Sequence, residues 1–123
     1  MRAILIPTSV AEAVANGAQA LDARYPGWWR HINLKTLEIG SVTQCVCGQL
    51  DSHYKTTGEE EPNWYRFADD LTGDPDRYEN YGFRGERGMT FEALRCEWRR
   101  AIQARLEADK LPATVNKKEA VLA

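Results

Sequence analysis

The chain has 123 residues, 43% of them apolar and 28% charged, with a formal net charge of −2. That supplies one hydrophobic core rather than two, and the near-neutral charge gives no global pull toward DNA, RNA or an anionic membrane. No apolar run approaches the roughly 18 residues of a membrane span, and the Met1–Pro7 start reads as too short for a secretory leader; three cysteines, an odd number, argue against a disulfide framework.

Ile4, Leu5 and Ile6 form a short apolar lead ending at Pro7, which fits a strand or an extended docking segment equally. Ser9-Val10-Ala11-Glu12 has the pattern of a capping box. Val10, Val14, Ala18 and Leu21 then repeat at helical spacing, predicting an amphipathic helix that ends near Arg24, before Pro26. Gly17 inside it costs about 1 kcal/mol of helix propensity.

Pro26-Gly27-Trp28-Trp29 reads as a turn or a short helix. Adjacent residues on a helix point about 100° apart, so one tryptophan is expected to anchor the core and the other to flank it. Asn33 is expected to cap a single turn carrying Leu34 and Leu37. Ser41-x-x-Gln44 offers a second capping box, opening a helix that holds Val42, Cys45, Val46, Gln49 and Leu50.

Residues 56–61 read as a loop whose glutamates favour the N-terminus of a following helix, with Pro62 in its first turn. Trp64, Phe67 and Leu71 form the apolar stripe of that helix, and Gly73 closes it. Asp74-Pro75 opens a short helix with Tyr78 and Tyr81, closed by Gly82, and residues 84–88 form an exposed loop. Thr90 caps the clearest helix, where Phe91, Leu94, Trp98, Ile102 and Leu106 recur every three or four residues. Glu92–Arg95, Glu97–Arg100 and Glu107–Lys110 are i, i+3 pairs on its surface, and Pro112 ends it.

The expected fold is therefore mostly α, a single compact domain of about five helices over residues 1–111. The long C-terminal helix packs on the N-terminal helix and on a Trp/Cys-rich central segment. Residues 112–123 are expected to form a mobile tail.

Charge is unevenly spread. Residues 51–80 carry nine acids against three bases, and residues 84–110 carry seven bases against five acids. An acidic surface and a mildly basic one follow.

The chemistry on offer is sparse. Cys45, Cys47, His53 and His31 fall within 23 residues and are the candidates for zinc. A Cys-x-Cys pair diverges by about 200° on a helix, so packed thiols are the better reading, and no metal or other cofactor is expected. Nothing places either histidine beside a thiol with an orienting carboxylate, so no catalytic residue is assigned. Gly82, Gly85 and Gly88, with Arg84 and Arg87 between them, lack the strand-loop-helix context of a phosphate loop. Arg95, Arg99, Arg100 and Arg105 would serve a nucleic acid, but interleaved glutamates weaken that reading. The acidic stretch, with Asp69 and Asp70, could instead meet a basic partner.

Pro26-Gly27-Trp28-Trp29-Arg30, Cys45-Val46-Cys47-Gly48-Gln49-Leu50, Tyr81-Gly82-Phe83 and Trp98-Arg99-Arg100-Ala101-Ile102 together carry a likeness. The chain resembles small proteins of unknown function from actinobacterial bacteriophages, including mycobacteriophages. The resemblance spans most of Leu21–Leu106 and departs at Cys47, where the pattern has leucine. It implies a phage accessory protein in the cytoplasm of the bacterial host, and it carries over no catalytic residue.

The function expected is a non-enzymatic interaction module acting on a host or phage protein. Trp28, Trp29, Asp69, Asp70, Arg84, Arg87, Arg95 and Arg99 are the candidate contact residues. The alternatives are a nucleic-acid-associated regulator using the Arg-rich last helix and a small zinc-binding domain. Tryptophan left at the surface would also suit a homodimer.

Overall fold

A capped start and an unbroken apolar stripe make the first helix. In a computed structural model describing residues 9–55, 64–74, 77–85 and 90–110, α1 spans Val10–Arg24. The Ser9 hydroxyl accepts the Glu12 N–H at 3.1 Å, satisfying one of the amide donors a helix start leaves open. Val14, Ala18 and Leu21 are buried along one face, as their spacing predicts. Tyr25 ends the helix, donating its N–H to the Leu21 carbonyl at 2.7 Å.

A 3₁₀ helix, Trp28–His31, follows. Trp28 is the core anchor of the pair, with no exposed surface, and half-buried Trp29 lies edge-on to it at 6.1 Å. The chain then turns at Asn33, whose Oδ1 accepts the Lys35 N–H and whose carbonyl accepts the Thr36 N–H. This is a turn rather than a helix, but it buries Leu37 as expected.

The next helix, α2, spans Val46–Tyr54 and starts later than Ser41-x-x-Gln44 suggests. The Ser41 hydroxyl accepts the N–H groups of Thr43 and Gln44, closing a tight turn instead. Cys45 then adopts an extended conformation and becomes the cap, its Sγ accepting the Gly48 N–H at 3.3 Å. Val42 is left outside the helix and 60% exposed.

Helix α3, Trp64–Thr72, buries Phe67 and leaves Trp64 and Leu71 half-buried. A second 3₁₀ helix, Tyr78–Tyr81, ends at Gly82, whose φ of 71° suits a residue without Cβ. Helix α4, Phe91–Asp109, begins where the Thr90 hydroxyl accepts the Ala93 N–H. Leu94, Trp98 and Ile102 form its buried stripe, while Phe91 stays 50% exposed. Its surface shows the Glu97–Arg100 and Glu107–Lys110 pairs, but Arg95 reaches across to Glu38 at 3.0 Å.

The described residues thus form an all-helical compact domain of four α-helices and two 3₁₀ helices. The expected segments at residues 1–8, 56–63, 75–76, 86–89 and 111–123, with Pro62, Arg87 and Pro112, lie outside them.

Helices α1 and α4 pack in the same direction, since Gly17 meets Trp98 and Asp22, further along, meets Arg105. The second 3₁₀ helix crosses them. There Asn16 Nδ2 donates to the Asn80 carbonyl and Trp98 Nε1 to the Gly82 carbonyl, at 3.0 and 2.7 Å. At the other end Tyr25 stacks on Tyr54 and Phe67, joining α1 to α2 and α3.

One polar node ties α1, the first 3₁₀ helix and α4 together. Asp22 Oδ1 accepts Trp28 Nε1–H and Arg105 Nε–H, both at 2.9 Å, and the Arg105 guanidinium lies over the Trp28 ring. The Arg105 hydrogen bonds hold the Asp22 carboxyl below its ordinary pKa of 3.8, outweighing partial burial. A depressed folded pKa means stability that is full above about pH 4 and is lost as pH falls through the folded value. The Asp22 carboxylate is part-exposed, so screening holds this to on the order of 1 kcal/mol. Acid titration of stability for the parent and Asp22→Asn proteins should show that component missing from the variant.

Candidate functional site

Two histidines far apart in sequence meet because α2 and the first 3₁₀ helix are stapled together. Gln49 is the staple: its Oε1 accepts the Asn33 N–H at 2.6 Å. Its Nε2 donates to the Asn33 and Gln44 carbonyls at 3.3 and 2.9 Å. Beyond it, Arg30 forms a forked pair with Asp109, both contacts 3.0 Å, and Trp29 Nε1 donates to the same carboxylate at 2.6 Å. Held from both sides, His31 stacks on His53 with ring centroids 3.6 Å apart and planes 16° from parallel. Tyr54 stands edge-on to both rings.

The stacked pair borders an open pocket of about 510 Å³. Its other walls are the neutral side chains of Asn33, Thr36, Thr43, Gln44, Gln49 and Ser52. The His31 pKa is lowered, first by partial desolvation and then by the charges of His53 and Arg30.

The four zinc candidates do not gather. His31 and His53 are exposed, whereas Cys45 and Cys47 belong to the core. Among the described residues no three His, Cys, Asp or Glu side chains are grouped to hold a metal. Burial pushes the Cys45 thiol up despite the backbone N–H groups around it. Cys47, wholly enclosed beside Cys45 and Asp51, is pushed up further. Neither is a poised nucleophile. A disulfide reagent added to the native protein should therefore react promptly with one thiol, the exposed Cys96, and with Cys45 and Cys47 only after denaturant is added.

The candidate contact residues fare differently from one another. Trp28 is withdrawn from any partner by complete burial, a correction to its expected role. Trp29 keeps a half-buried ring but spends its N–H on Asp109. Arg99 donates to the Leu34 carbonyl at 2.7 Å, and Arg84 lies over the Tyr78 ring. With Arg95 on Glu38, Arg100 on Glu97 and Arg105 on Asp22, the arginines that a phosphate backbone would need are engaged within the fold.

On α3, solvent-open Asp70 pairs with Arg24 at 3.0 Å, while Asp69 Oδ1 is buried and accepts no hydrogen bond among the described residues, a correction to the expected contact role of Asp69. Tyr65, one turn before Asp69, is 46% exposed and edge-on to Trp64. Tyr65 is not among the expected contact residues, although its position off the Trp64/Phe67/Leu71 stripe marks it as outward-facing. The histidine pairing has no local signal at all.

Among the described residues no helix is long and apolar enough to cross a membrane. Comparison with protein-family models, with curated proteins and with solved structures found no match to this chain.

Proposed function

We propose that this chain is an accessory protein of an actinobacterial bacteriophage, working in the host cytoplasm as a non-enzymatic module that docks on a host or phage protein. The observation that carries the reading is the outer edge of α3. Tyr65 presents an exposed ring, and the Asp70 carboxylate on the same helix is open to solvent in its pair with Arg24. Half-buried Trp64 backs the ring, edge-on to it at 6.1 Å.

An aromatic ring with an exposed carboxylate on the same helix suits a partner segment carrying arginine or lysine. The cation can pair with Asp70, alongside or in place of Arg24, while its aliphatic stem covers Tyr65. Aromatic anchors of this kind dominate interface energetics, with truncation typically costing on the order of 2 kcal/mol.

The test is crosslinking and affinity recovery from infected host lysate, using the parent chain and a Tyr65→Ala/Asp70→Asn variant. A protein recovered by the parent and depleted by the variant supports the reading. An identical set recovered by both, or a specific turnover by the parent chain, overturns it.

A further inference from the structure

We propose that the pocket between the Trp28–His31 helix and α2 binds a small oxyanion, a phosphate monoester or a carboxylate, against the His31–His53 pair. This surface is separate from the α3 edge. Four features of its chemistry converge on that ligand class.

Neither imidazole makes a hydrogen bond among the described residues, so the ring nitrogens are available to a ligand. The rings lie 3.6 Å apart and nearly parallel. Ring lone pairs and N–H bonds lie in the ring planes, so lone pairs on two stacked rings do not converge on one cation, as zinc ligation requires. N–H bonds in two adjacent planes can instead reach two oxygens of one oxyanion. The rest of the lining supplies neutral donors, with the Gln44 amide and the Ser52 hydroxyl beside the histidines. It contains no carboxylate to repel an anion.

The fourth feature is electrostatic. Two imidazolium rings face to face repel, and an anion at their common edge, reached by an N–H from each, relieves that repulsion. Binding and protonation must then assist each other to the same degree. The charged and titratable groups around the pair do not supply the missing counter-charge. Arg30, on the same short helix as His31, is cationic and paired with Asp109. Tyr54 is edge-on to both rings, with Tyr25 of α1 stacked behind it. Lys55 follows His53, and Asp51 is buried in the core.

The pair can be read directly through its imidazole C2 protons by NMR. Sulfate is the first probe, because it keeps its charge while histidine titrates. At constant ionic strength, saturable shifts at both histidines should tighten about tenfold between about pH 8 and pH 5.5. His31→Ala and His53→Ala, both at exposed positions, should each weaken sulfate binding about tenfold at the lower pH and flatten its pH dependence. Inorganic phosphate and acetate form the next arms: a preference for phosphate assigns a phosphate monoester, and a preference for acetate a carboxylate. Shifts that never saturate, or that chloride reproduces, or that survive both variants, overturn the site. Saturation by zinc without saturation by sulfate overturns it in favour of a metal.

Discussion

Trp98→Ala should lower the free energy of unfolding by about 3–5 kcal/mol, the range for a large aromatic removed from an interior. The indole has no exposed surface and lies among Trp28 at 5.9 Å and Phe83 at 5.6 Å. Its loss opens a cavity between α1, α4 and the second 3₁₀ helix, and it orphans the Gly82 carbonyl that Nε1–H satisfies. A whole domain is held by only about 5–15 kcal/mol, so the variant should melt far below the parent. Urea denaturation followed by far-UV circular dichroism measures this. A midpoint unchanged from the parent would show that α4 is not packed through Trp98. Trp98→Phe keeps an aromatic ring but loses the hydrogen bond and part of the indole volume, so its smaller loss of stability sets an upper limit on what the hydrogen bond contributes.

Gly17→Ala should also destabilise, by about 2–3 kcal/mol, although in an isolated helix it would stabilise by about 1 kcal/mol. A Cβ at residue 17 would clash with the Tyr81 carbonyl oxygen and meet the Trp98 ring at 3.0 Å. The first of these is backbone, so no rotamer change relieves it, and α1 would have to separate from the second 3₁₀ helix. Overpacking therefore outweighs propensity. Equal or greater stability of the variant in the same denaturation experiment would mean that the Tyr78–Tyr81 segment does not rest on α1.

These two residues also mark what the sequence reveals and what it hides. Trp98 is legible because it sits in a long apolar stripe behind a capping threonine, and local pattern and tertiary packing agree. That one of Trp28 and Trp29 anchors the core and the other flanks it also follows from helical geometry, whereas only the packing decides that the anchor is Trp28. Gly17 is illegible because propensity sees only its cost, while its purpose is contact with a chain segment more than sixty residues away. The two capping-box patterns make the same point. Ser9-x-x-Glu12 opens a helix, but Ser41-x-x-Gln44 closes into a turn, and the cap passes to Cys45. The candidate sites divide likewise: Tyr65 could be placed from periodicity, whereas the His31–His53 pocket depends on Gln49 binding a distant backbone.

The Asp22–Arg105 and Trp29–Asp109 contacts bridge 83 and 80 residues. During synthesis, α1 and both tryptophans of the first 3₁₀ helix leave the ribosome well before α4 exists. Until then Trp28 and the apolar face of α1 have no ring from Trp98 to close against. Folding must therefore be completed late, and more slowly than in helical proteins built from neighbouring hairpins, because distant segments have to find one another. Nascent chains halted before residue 98 should accordingly be protease-sensitive throughout, and should become resistant once α4 has emerged.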